Sequence, residues 1–92
     1  MLKLVDIQSS TRKDKKYMAL FSDGKTVHFG SLGYEDFTIH EDPSRKEAYI
    51  RRHRPRENWE NPQTPGALSR WILWNKPSLM KSIQDYRRRF DL

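Results

Sequence analysis

The chain has 92 residues and a mass of 11.1 kDa, room for one small core, and Leu, Ile, Val and Phe make up only about a fifth of it. Three Trp and four Tyr favour a folded domain over a disordered one, while the absence of Cys excludes a disulfide scaffold, a thiolate zinc site and a cysteine nucleophile. The longest apolar run, Tyr17 to Phe21, is far too short for a membrane helix, and the first residues lack a signal peptide's apolar core, so a soluble protein that is not secreted is expected.

The net charge of +6 is unevenly placed. Residues 1–44 carry six basic and seven acidic side chains, whereas residues 45–92 carry twelve and five, and nine of those twelve are Arg. The guanidinium fork matches phosphate oxygens, so this asymmetry points to a polyanionic partner.

Leu2, Leu4 and, after a shift of phase, Val5 and Ile7 form the first β-prone stretch. Lys16 to Phe21 is a stronger one, and Thr26 to Phe29 alternates with a period of two. Between the last two, Asp23-Gly24 can supply the positive φ angles of a tight hairpin turn. These features predict a three-stranded antiparallel meander over about residues 2–30, followed by a loop over 31–42 with Phe37 and Ile39 as its anchors.

Asp42-Pro43 reads as an N-cap followed by a first helical residue, and Pro55 sets the limit, predicting a helix over 43–54. Thr64-Pro65 repeats the signal for a helix over 64–75 with Leu68, Trp71 and Ile72 on its apolar stripe. Pro77 opens a third over 77–90, where Leu79, Ile83, Tyr86 and Phe90 fall at helical spacing. The expected fold is α+β, a single domain over 1–92 with three helices packed on one face of a short antiparallel sheet.

Two Arg clusters carry the functional signal. Arg51, Arg52, Arg54 and Arg56 surround the end of the first helix, and Arg87, Arg88 and Arg89 the end of the third, with Arg70 and Lys76 between them. Cations at helix C-termini also complement the helix dipole, so convergence of the two clusters in space is what separates a binding surface from simple capping. Trp59, beside Arg56, suits either a lid over the core or a stacking contact with a base, whereas Trp71 is read as core. His28 and His40, with Glu35, Asp36, Glu41 and Asp42, have the donor types of a metal-dependent nuclease, a distant alternative, but no recognised ligand spacing, and a solvated acidic loop with a structural His is the reading preferred for them. No catalytic residue, metal site or cofactor is expected.

The string from Lys16 to Gly30, together with Gly33 to His40, Tyr49 to His53 and Gly66 to Pro77, resembles a small uncharacterised protein family of large double-stranded DNA viruses of algae and related marine viruses. The resemblance spans residues 16–90 and leaves 1–15 outside. It implies a setting and supplies no site: a protein of the infected cell, in the nucleus or a cytoplasmic virus factory, and of the virion. Charge and setting together predict a non-enzymatic, sequence-independent binder of double-stranded DNA, acting in genome packaging or condensation. The alternative is a virion structural or adaptor protein whose Arg residues meet an acidic surface on other viral structural proteins; a membrane partner is not expected.

Overall fold

The computed structural model describes residues 1–92 and places three strands, β1 (Leu4–Ser9), β2 (Lys15–Phe21) and β3 (Thr26–Ser31), in an open antiparallel sheet of order β1-β2-β3. The helical part follows: α1 (Phe37–His40), α2 (Pro43–His53) with a 3₁₀ turn (Arg54–Arg56), α3 (Pro65–Leu68) running on as a π turn (Ser69–Leu73), and α4 (Leu79–Phe90). The expected α+β architecture is the one observed.

The phase shift near the N-terminus is a β-bulge. Leu4 pairs with Phe21 but Asp6 pairs with Leu20, so Val5 is the extra residue and points outward, 60 % exposed, while Leu4 is buried. Val5 therefore does not share the apolar face with Ile7. The β2–β3 hairpin also departs from the two-residue turn. Phe21 and Lys25 close a three-residue loop in which Gly24 alone has a positive φ, +89°, while the Asp23 carboxylate accepts from the Lys25 N–H. Hydrogen bonding from Lys25 and Gln63 holds the Asp23 carboxyl below the usual range.

One sheet face builds the core. Ala19, Phe21, Val27 and Phe29 meet Leu68, Ile72, Leu73 and Tyr86 in a single buried cluster. Each fully buried large side chain of this kind contributes about 1.5–3 kcal/mol, which a chain this short cannot spare. Gly30 seals one corner of it. Its φ is +80°, and a Cβ there would stand 2.8 Å from Leu73 Cδ1, so a side chain would strain the backbone and displace the buried Leu73 methyl.

The helix starts follow their caps. Asp42 accepts from Ser44 N–H with Pro43 as the first helical residue, and Thr64 accepts from Ala67 N–H with Pro65 next. The other boundaries differ from expectation. Ser78, not Pro77, caps α4, by accepting from Lys81 N–H. Pro55 does not end the second segment outright, because the first turn of a 3₁₀ helix needs no proline N–H and the chain continues to Arg56. Residues 37–40, expected as loop, make one helical turn because the Asp36 carboxylate caps it and is itself buried against Lys16, with Nζ 2.7 Å from Oδ2. The predicted single helix over 64–75 is broken in character: Trp74 N–H reaches back five residues to the Ser69 carbonyl. That wider turn leaves Leu68, Ile72 and Leu73 in the core and Trp71 only half-buried at its edge.

Candidate functional site

The Arg70 guanidinium organises the helical surface. It lies between two indoles, its Cζ 4.2 Å from the Trp71 ring centroid and 5.5 Å from that of Trp59, and its Nη1 donates to the Trp74 carbonyl at 2.9 Å. Arg89 covers the Trp71 ring at 3.7 Å and reaches Asp85 at 3.3 Å. The result is a ladder of alternating cations and rings: Arg89, Trp71, Arg70, Trp59. Backbone and carboxylate bonds hold the indoles in place, since Trp71 Nε1 donates to the Trp59 carbonyl at 3.0 Å and Trp59 Nε1 to Glu57 at 2.8 Å. Trp59 is thus a packed, half-buried ring of this ladder.

A second aromatic stack stands beside the first. Tyr49 lies between Trp74 and His53, with ring centroids 4.3 Å away on each side, and His40 closes on Trp74 at 5.3 Å. Burial drives the Tyr49 phenol well above its ordinary pKa, keeping it neutral. The stack seats α2 on the end of the π turn, and Lys46 Nζ adds a bond of 2.7 Å to the Asn75 carbonyl.

One Arg of each sequence cluster acts on the charge of Arg70. Burial first, then the positive charges of Arg89 at the end of α4 and Arg54 at the end of α2, lower its pKa. Lys46 is lowered likewise by burial and by the charges of Arg70 and Lys76. Contacts join these elements: Arg70 and Arg89 both lie on the Trp71 ring, and Lys46 reaches the carbonyl of Asn75, whose amide donates to Asp85, the partner of Arg89.

Each predicted residue takes a distinct place. Arg51, Arg52, Arg54, Arg56, Lys76 and Arg88 are exposed, and their side chains make no ion pair or hydrogen bond within the fold. Arg87 is half-buried and donates to the Leu4 carbonyl at 2.6 Å, tying α4 to the bulged start of β1. The triplet at the end of α4 consequently splays, because successive residues turn by about 100°: Arg87 toward the sheet, Arg88 into solvent, Arg89 onto Trp71. The ladder itself was missed from the sequence; its one local sign is the adjacency of Arg70 and Trp71.

The histidine and carboxylate set is not brought together. His28 Nδ1 shares a hydrogen bond of 2.8 Å with Ser10 Oγ on the sheet. His40 Nδ1 accepts from Asp42 N–H at 3.0 Å, leaving its buried Nε2 without a partner beside Trp74. No three His, Asp or Glu side chains are grouped so as to hold a metal ion. No helix is long and apolar enough to cross a membrane.

Neither a curated protein nor a solved structure matches the chain. A family model does, over residues 5–53, which takes in the sheet, α1 and α2. This match includes β1, which the resembling stretches left outside, and ends before the Gly66–Pro77 stretch that they included. Since it covers more than half of the chain, the protein belongs to a family of unknown function, DUF5754.

Proposed function

We propose that the protein is a non-enzymatic nucleic-acid-binding protein that docks the face around Arg70 on the phosphates of double-stranded DNA without reading sequence. The observation that carries this reading is that Arg70 and Arg89 gather on the Trp71 ring, while Arg54 at the end of α2 and Lys76 beside Asn75 are exposed with no partner inside the fold. Cations serving only as helix caps would have no reason to crowd together at a cost in mutual repulsion. Arg51 and Arg56, exposed near the same end of α2, add positive charge. The resemblance to proteins of large DNA viruses supports a role in condensing a packaged genome, in the infected cell and the virion.

Anisotropy titrations of the protein against short unrelated duplexes, over a range of salt concentrations, test the reading. Three to five phosphate contacts give a logarithmic salt slope of about −3 to −5. Arg54→Ala combined with Lys76→Ala makes that slope shallower by about 2 and weakens every duplex alike. Loss confined to one sequence contradicts phosphate docking. Absence of binding at low salt overturns the reading and directs attention to an acidic protein surface as the partner.

A further inference from the structure

Against α2 lies a cleft of about 590 Å³ whose lining includes neither Lys46 nor Arg54. Arg45, Ala48 and Arg52 line it from the helix, spaced so that they share one side; the end of β3 and the loop carrying Tyr34 form the opposite wall. This volume falls within the range of about 300–1,000 Å³ typical of small-molecule sites.

Most charges in the cleft have partners: Asp36 is taken by Lys16 at 2.7 Å and Glu35 faces Arg45 at 3.5 Å, while Glu57 keeps its negative charge, bonded to the neutral Trp59 indole and 3.7 Å from His53. Two cations, Arg52 and Lys15, remain uncommitted on its walls. Tyr34, on the loop side, leaves its ring 74 % exposed, although a solvent-facing aromatic of this size gains nothing for the fold. The Ser31 and Ser69 hydroxyls line the same space and donate no bond to the protein.

A bare phosphate would fill only part of this volume, and an apolar ligand would desolvate the two free cations without pairing them. We infer that the cleft binds a nucleoside monophosphate unit, free or as an unpaired nucleotide of a strand, with its phosphate on Arg52 and Lys15 and its base stacked on Tyr34. The guanidinium fork takes two phosphate oxygens together, a tyrosine ring stacks on any base, and the serine hydroxyls serve the sugar. In its strand-bound form the inference rests on the nucleic-acid reading above; binding of the free nucleotide does not.

Trp74 lines the cleft and reports on it by fluorescence. Adenosine monophosphate should shift the emission saturably, with adenosine and inorganic phosphate each at least tenfold weaker. Arg52→Ala and Tyr34→Ala should each weaken the nucleotide about tenfold, and Tyr34→Phe, which keeps the stacking face, should restore it. A second arm compares blunt duplexes with duplexes bearing an unpaired terminal nucleotide. A preference for the overhang that Arg52→Ala and Tyr34→Ala abolish assigns the strand-bound unit; saturable nucleotide binding without that preference assigns the free one. If neither nucleotide nor overhang binding depends on Arg52 and Tyr34, the inference fails. Arg54→Ala with Lys76→Ala separates the two proposals, since it strips the basic face while nucleotide binding in the cleft persists.

Discussion

Replacing Arg70 by Leu removes the centre of the ladder while keeping an apolar stem. The Trp74 carbonyl then loses a charged donor at 2.9 Å, a bond worth about 1.5–3 kcal/mol. Two cation–ring contacts go with it, at 4.2 and 5.5 Å, at about 0.5–1 kcal/mol each for a half-buried site. Against these stand the relief of repulsion from Arg89 and Arg54 and the removal of a buried, unpartnered Nε, together about 1 kcal/mol. The net cost is about 2 kcal/mol, which for a chain of this length lowers the melting temperature by about 8–16 °C. Thermal melts at neutral pH followed by circular dichroism measure it, with Arg88→Leu as the exposed control, expected within about 0.5 kcal/mol of the parent. Equal melting of the two variants would refute the reasoning, because the guanidinium would then be ornamental to the packing of Trp59 and Trp71.

Three further outcomes follow from local geometry. Gly30→Ala meets both a φ of +80° and a contact of 2.8 Å to Leu73 Cδ1, and urea titration should show a loss of about 2–4 kcal/mol; a loss below 1 kcal/mol would mean that the β3 end relaxes freely. The Asp85 carboxyl is raised by burial but lowered more by bonds from Asn75 and Arg89, so it lies below its ordinary value of 3.8. A depressed carboxyl contributes stability that is full above its unfolded pKa and is lost as the pH falls through the folded one, so Asp85→Asn should flatten the decline below about pH 4, and an unchanged acid limb in denaturant titrations contradicts the pairing. Arg89→Lys keeps the charge but not the plane that covers Trp71, so it should weaken duplex binding more than Arg54→Lys; equal losses in anisotropy titrations would mean that charge alone matters.

Much of the fold could be read locally. The alternation in β2 and β3, Gly24 in the hairpin, the Asp42-Pro43 and Thr64-Pro65 starts and the apolar stripe of α4 are all signals contained within a few residues. What escaped depends on partners far along the chain. The turn at 37–40 exists because Asp36 is buried against Lys16, twenty residues earlier. Arg87 resembles its neighbours in sequence, yet one hydrogen bond to the Leu4 carbonyl, across nearly the whole chain, removes it from the set of free cations. The π turn has no such marker; its consequence, Trp71 at the rim, is what makes the ladder possible.

Counting Arg residues along the sequence overstates any binding footprint, because folding assigns them to different work. Arg70 and Arg87 are spent on the Trp74 and Leu4 carbonyls, and the helical turn sends Arg88 away from Arg89. What gathers cations is instead packing between segments distant in sequence: Arg89 and Arg70 lie on the one Trp71 ring, and Arg70 reaches Trp59 as well. A cation fixed in that way has already lost much of its side-chain freedom on folding, so on the proposed reading less entropy would remain to be lost on docking a phosphate. Exposed Arg51 and Arg56 can add charge beside the proposed face, but the stacked Arg89, tied to Asp85, sets its geometry. The ladder thus links the stability of the helical half to the shape of the surface it presents, because Arg70 and Arg89 are positioned by the same indole that packs at the edge of the core.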